Sequence, residues 1–232
     1  MIIGSGLIAY AFRASYTYSD AVCIYAAGVS NSACSDEHEF ARERQRLTDA
    51  LSKTQLYDCF VYFGTCSVGD PAAQLTAYVQ HKLAMEQLVV THPRHLILRL
   101  PQVAGNTPNP HTLLNFLYAH VARSEAFKVW HHATRNIIDV DDVAAIANLL
   151  IEDKTARNIT VNLANPVCYN MPDIVAAMER IVGKPAIYDL IERGSGYAID
   201  ISAVRTLLDK AGVAFDDAYL DKTIGKYYAK AD

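Results

Sequence analysis

Tyr78 and Lys82 stand four residues apart in TAYVQHKLAME, residues 76–86. On a helix that spacing brings both side chains to one face. A phenol beside an ammonium can give and take a proton, the positive charge favouring the phenolate. Thirteen residues before Tyr78, an apolar run ends in Gly64-Thr65-Cys66-Ser67. This puts hydroxyls at the carboxyl end of a strand, the side on which open α/β sheets hold ligands. A third motif, Gly4-Ser5-Gly6-Leu7-Ile8-Ala9, fits G-x-G-x-x-A at a strand-to-helix turn. There Gly4 permits the tight turn, Gly6 lets the backbone approach a pyrophosphate, Ala9 allows close helix packing, and the helix N-terminus attracts phosphates. Taken singly, each has a bland alternative: a solvated helix face, a strand-end hydroxyl, an ordinary glycine turn. With 14 tyrosines and 21 Lys plus Arg in 232 residues, a tyrosine four before a basic residue is expected about once by chance.

The elements that would position these groups read as alternating βα units. Short apolar runs at residues 1–3, 21–26, 59–63, 95–100 and 160–163 predict strands of a parallel sheet. Helices are predicted over 7–13, 37–51, 77–91, 112–123, 142–152, 171–182 and 202–211, the last closed by Gly212. Asp36 is the expected N-cap of the second helix, with Glu39 completing a capping box, and Asp141 and Asp142 read as helix-capping residues. Residues 192–196 read as a mobile loop. The acidic residue that accompanies such a glycine turn about 20 positions on is missing, because Asp20 precedes the strand at 21–26 instead of closing one. Two strands are therefore absent. In the strand order 3-2-1-4-5-6 their loss leaves the first strand as an edge beside the fourth, at the expense of the adenosine pocket.

Composition narrows the classes. The chain is 51% hydrophobic and 20% charged, with net charge -4. It has no clustered basic face for nucleic acid or an anionic membrane. The first residues carry no targeting signal, and no run is long and apolar enough for a membrane span, so a cytoplasmic protein is expected. Five scattered cysteines without C-x-x-C indicate neither a disulfide framework nor a zinc site. Cys66 has no base named beside it and reads as a small neighbour in the pocket. His131 and His132, being adjacent, are expected to point apart, and no metal is expected.

Taken in order, these segments resemble the extended short-chain dehydrogenase/reductases, the NAD-dependent epimerases, dehydratases and reductases of nucleotide-sugars. The resemblance rests on IIGSGLIA, VCIYAAGVSNS, VYFGTCSV, YVQHKLAME, RLPQVAG and RNIIDVDDVA. It implies an α/β fold: a Rossmann-like doubly wound parallel sheet, shortened by about two strands, with a small C-terminal α/β substrate-binding lobe. Residues 1–130 would form the core, and 131–232 mainly the lobe, with some segments returning to the core. It implies Tyr78 as general acid/base, Lys82 as the charge that lowers its pKa and holds the nicotinamide ribose, and Thr65 as partner of the reacting oxygen. Gly4, Gly6, Leu7, Ile8, Ala26, Ala27 and Pro101 would join Tyr78 and Lys82 against NAD or NADP.

By the same resemblance Arg135 would bind a nucleotide-sugar diphosphate, the alternative being an ion pair with Asp139 or Asp141. Gln102 and Asn115 would contact substrate. The chain departs from the family in its abbreviated first half, in a short stretch from Thr65 to Tyr78, and in glycine at position 69, where tyrosine is usual. The implied function is an NAD(P)-dependent oxidoreductase or isomerase of a nucleotide-activated sugar, epimerase or ketoreductase before dehydratase, in surface polysaccharide synthesis. A homodimer through helices 37–51 and 77–91 is expected. The alternative is a non-catalytic nucleotide- or protein-binding regulator on a degenerate fold of this type.

Overall fold

A computed structural model describes residues 1–229. β1 (Ile2–Ile3) leads through the glycine turn into two short helices, α1 (Leu7–Ala11) and α2 (Arg13–Tyr16). β2 (Val22–Tyr25), α3 (Glu37–Lys53), β3 (Cys59–Thr65), α4 (Ala77–Val89) and β4 (His95–Leu100) follow. The chain then lays down β5 (Gln102–Ala104), α5 (Leu113–Arg123), β6 (Phe127–Trp130), β7 (Thr134–Arg135) and β8 (Ile137–Asp139). α6 (Val140–Glu152) leads back to the large sheet, which β9 (Ile159–Asn162) joins. β10 (Tyr169–Asn170), α7 (Met171–Val182), β11 (Tyr188–Ile191), α8 (Arg205–Ala211) and α9 (Tyr219–Tyr228) complete the described chain.

The five-stranded sheet runs β1-β2-β3-β4-β9, all parallel. As expected for a doubly wound sheet that has lost two strands, β1 is an edge beside β2. Strands covered on both faces read as continuous apolar runs, and β3 and β4 are buried along nearly their whole length. Alternation divides their side chains between two cores. Tyr25, Phe60, Tyr62 and Ile97 pack with Leu47 and Met85 of α3 and α4. Ile24, Val61, Leu96 and Leu98 pack with Ile146 and Leu150 of α6. A third core gathers Leu117, Phe127, Ile137, Ile174, Met178 and Ile224 from α5, β6, β8, α7 and α9. It takes in α5 and β6, which precede residue 131, whereas β9 belongs to the large sheet and α6 packs on it.

Several local expectations change. The helix expected over 7–13 breaks at Phe12, whose buried ring lies 5.6 Å from Phe63 and 6.1 Å from Tyr16. Asp36 does cap α3, accepting from His38 N at 2.8 Å, but Glu39 pairs with Arg42 and closes no capping box. α6 starts at Val140 and is capped by Asp139, so Asp141 and Asp142 lie in its first turn. Residues 192–196 are strapped down: His132 N donates to Arg193 O at 3.0 Å, and Gly194 (φ +98°) lies where a Cβ would meet Ala133 N at 2.7 Å. The helix α9 adds to the elements that the sequence pattern predicts. Among the described residues no helix is long and apolar enough to cross a membrane.

Asp139 clasps α9 to α6. Its Oδ1 accepts from Asp141 N (2.9 Å) and the Tyr227 hydroxyl (2.7 Å), and its Oδ2 accepts from Lys226 Nζ (2.8 Å). Loss of a helix cap and two further buried-end hydrogen bonds should destabilise the fold by about 2 kcal/mol in Asp139→Ala. Asp141→Ala, whose side chain is 69% exposed, should stay within about 0.5 kcal/mol of the parent. Urea unfolding of the two variants measures the contrast.

Candidate active site

β3 delivers Thr65 to the carboxyl edge of the sheet. Its hydroxyl caps the following 3-10 turn, Cys66–Gly69, accepting from Ser67 N at 3.2 Å. α4 begins under the Thr76 hydroxyl, which accepts from Val79 N at 3.3 Å. Tyr78 falls in the first turn of this helix and Lys82 in the second. Thr65, Tyr78 and Lys82 are all buried and line one cavity of about 1070 Å³. Small-molecule sites measure about 300–1,000 Å³, so this one stands at the large end of the range.

The electrostatics differ from the expectation. Burial pushes the Tyr78 phenol up to about 12; the hydrogen-bonding Thr65 hydroxyl pulls it down, and the Glu43 charge adds to the rise. The expected lowering by Lys82 is not realised, because its Nζ lies 3.2 Å from Glu43 Oε1 and the two charges largely cancel toward a third group. Burial also lowers the Lys82 ammonium, with Glu43 opposing that fall. Glu43, 2% exposed on α3, is the residue that spacing did not reveal. Its Oε1 accepts from the Tyr62 hydroxyl (3.0 Å) and Lys82, and its Oε2 accepts from Val29 N (2.7 Å) and His81 Nε2 (2.9 Å). Burial alone would raise this carboxyl; the His81 hydrogen bond, the Lys82 charge and the Val29 N–H hold it down at about 2. One turn further along α4, buried Glu86 takes Arg99 of β4 in a two-pronged pair at 3.0 and 2.6 Å.

At the glycine turn, Gly4 has φ +133°, and a Cβ there would come within 2.3 Å of Ala26 O. Only glycine fits. A Cβ at Gly6 would meet nothing within 4 Å, so open space adjoins that backbone. Leu7, Ile8, Ala26, Ala27 and Pro101 line the same cavity. Open space at Gly6, two small alanines and a buried ammonium at Lys82 suit a nicotinamide dinucleotide. The phosphate end is weaker than the motif implied, since α1 is only five residues long and its dipole correspondingly small.

On the substrate side, Gln102 and Arg135 line the cavity. Arg135 Nη1 donates to Thr134 O at 2.7 Å, and among the described residues the guanidinium pairs with no carboxylate; Asp139 and Asp141 take Lys226 instead. Asn115 does not line the cavity. Its amide donates to Thr107 O and Asn109 O, both at 2.8 Å, and accepts from the Tyr228 hydroxyl at 2.7 Å, so it braces the loop before α5. Tyr197 and Asp70 join the lining without any local motif to announce them. The Tyr197 ring lies 3.9 Å from where a Gly69 Cβ would stand. The Cys66 thiol donates to Arg99 O at 3.2 Å, and burial pushes it up to about 12, which makes it inert as a nucleophile. All five cysteines are free.

His131 and His132 do not point apart. Their rings stack at 4.9 Å, and both reach Glu192, at 2.9 and 2.7 Å. β6 has ended at Trp130 and the chain is turning, so strand alternation no longer governs them.

A parallel α/β sheet with a glycine turn on its first strand and a hydroxyl, a phenol and an ammonium at its carboxyl edge defines a Rossmann-like fold of the short-chain dehydrogenase type. Residues 14–164 match the family model described as NAD dependent epimerase/dehydratase, and the chain belongs to that family. The matched segment begins after the glycine turn. Among solved structures, the chain resembles UDP-glucuronic acid 4-epimerase from Bacillus cereus, in complex with UDP-glucuronic acid and NAD. That match has TM-score 0.76 and 19% identity over 90% of this chain and 74% of the other. RMD from Pseudomonas aeruginosa, complexed with NADPH, matches with TM-score 0.74 and 15% identity over 96% of both chains. UDP-glucose 4-epimerase from Thermus thermophilus, with NAD, matches with TM-score 0.70 and 14% identity over 92% of this chain and 79% of its own. At these identities the likeness establishes the fold. No curated protein sequence matches the chain.

Because the folded Glu43 carboxyl titrates near 2 instead of its ordinary 4.5, its stabilising contribution is complete above that ordinary value and is lost as pH falls toward 2. The size is about 3 kcal/mol. Unfolding free energies measured from about pH 6 down to about pH 3 should therefore converge between the parent and Glu43→Gln.

Proposed function

We propose that the chain is an NAD(P)-dependent oxidoreductase or isomerase of a nucleotide-activated sugar, an epimerase or ketoreductase in preference to a dehydratase. One observation carries the reading: Thr65, Tyr78 and Lys82 share a cavity with the open backbone at Gly6 and with Arg135. The nicotinamide, when bound, supplies the hydride exchange. Tyr78 moves the proton of the sugar hydroxyl or carbonyl, Thr65 hydrogen-bonds the same oxygen, and Lys82 holds the cofactor ribose. Arg135 offers a planar, permanently charged fork to a diphosphate. The residues that follow Thr65, Cys66 and Ser67, provide no acid and base pair for dehydration. A cytoplasmic place in surface polysaccharide synthesis belongs to the same reading.

Homodimerisation through α3 and α4 is part of it too. Sedimentation velocity should resolve a dimer whose population rises with protein concentration, and a monomer throughout the concentration series overturns this part of the reading.

Calorimetry with NAD, NADH, NADP and NADPH tests the main reading. The intact protein should bind at least one of them, and Lys82→Ala should weaken binding about tenfold or more. Tyr78→Phe should keep cofactor binding and lose about 10²–10⁴ in turnover of UDP-sugars. A folded protein that binds none of the four would instead mark a non-catalytic binding protein.

A further inference from the structure

We propose that Glu43 is a positioning residue of the acid/base site, a buried counter-charge that keeps Lys82 protonated and aimed at the cavity. The proposal rests on the enzymatic reading above and adds a residue that no sequence motif supplies.

The geometry is specific. Lys82 Nζ sits 3.2 Å from Glu43 Oε1 and 4.8 Å from the centroid of the Tyr62 ring, over its face. A Cβ at Gly28 would come within 2.8 Å of both Nζ and Oε1, so only glycine leaves the pair its space. Glu43 is itself fixed from three sides: by Tyr62 of β3, by Val29 N after β2, and by His81 of α4. His81 is stacked on Phe40 at 4.3 Å. The Tyr25 hydroxyl ties down the main chain by donating to Glu43 O at 3.2 Å. An ammonium has three donors. Glu43 takes one and the ring face lies over another side, while Lys82 still borders the cavity, which leaves a donor for a ligand hydroxyl.

The charges facing this group come from every element packed on it. His81, Lys82, Tyr78 and Glu86 belong to α4, Tyr62 to β3 and Tyr25 to β2, while Arg46 shares α3. Of these Lys82 and Arg46 are the lysine and arginine, and of the two only Lys82 touches the carboxylate. A buried ammonium stripped of its partner is strongly disfavoured and sheds its proton. Burial already lowers Lys82 with Glu43 in place, so removal of the carboxylate leaves only the smaller influence of Glu86 to oppose that fall.

The test is titration of Lys82 by NMR on protein labelled at lysine, its resonance assigned by its absence in Lys82→Arg. In Glu43→Gln the Lys82 pKa should drop by about one unit or more, and cofactor affinity should fall as pH rises through that lowered value and recover below it. Glu43→Asp, which keeps the charge, should restore much of both, and Gly28→Ala, which intrudes on the contact, should mimic the loss. A purely structural Glu43 would lower stability without moving the lysine titration or the pH profile, and that result overturns the proposal. If Glu43→Gln does not fold, an unchanged Lys82 titration in Gly28→Ala overturns it equally. The titration needs no cofactor, so a parent that binds no dinucleotide sinks the enzymatic reading alone. An unmoved lysine in a cofactor-binding protein sinks this inference alone.

Discussion

One buried carboxylate joins most of what matters in this molecule. Glu43 binds a strand residue, a loop amide and two residues of the next helix, all through two oxygen atoms. A carboxylate taken out of water is tolerated only with its lone pairs filled and its charge opposed. Here both conditions hold, and each partner is held in turn. The consequence is geometric more than energetic. Buried ion pairs add little net stability over an apolar filling of the same volume, but they penalise any arrangement that separates the partners. α3 and α4 therefore have a single mutual register over the sheet, and Tyr78 inherits it.

The same logic recurs one turn along α4, where Glu86 meets Arg99. Each pair lies against a glycine. A Cβ at Gly28 would enter the first, and a Cβ at Gly64 would come within 2.4 Å of Glu86 Oε1. Two residues of one helix thus reach charged partners on opposite sides of the end of β3, and the backbone gives way at both points. The high phenol of Tyr78 follows from this arrangement, since burial works against the phenolate and the nearest cation is already matched by an anion. Any ligand that brings a positive charge or draws on the Lys82 donors acts on a site whose charges are otherwise balanced.

How much of this the amino-acid order reveals depends on burial. β3 and β4 are covered on both faces, so their sequences are mostly apolar, and β4 ends where the apolar run does. The strands of the second lobe span two to four residues and have no period to detect. α9 carries Leu220, Ile224 and Tyr228 at helical spacing, but Gly225 disguises it. A Cβ at that glycine would make only ordinary contact with Ile181 Cδ1 of α7, at 3.4 Å. At the site, spacing and strand ends pointed to Thr65, Tyr78 and Lys82 as neighbours, and the fold brings all three to one cavity. Glu43 was legible in principle: the buried stripe of α3 is Glu43, Leu47, Ala50 and Leu51, with a carboxylate where a leucine would fit. In a helix otherwise rich in charge it reads as one more solvated residue. Tyr197 reaches the pocket only through tertiary folding, and no local pattern marks it. Asn115 lies off the cavity lining, its amide engaged by the chain in front of α5 and by Tyr228.

The shortened sheet also bears on how the protein behaves in a crowded solution. On the β1 side its edge strand is two residues long, and so few unpaired amides offer an incoming chain almost nothing to zip onto there. Loss of two strands would ordinarily bare a long, sticky flank. Here the deletion stops at a stub, which limits runaway strand-on-strand assembly.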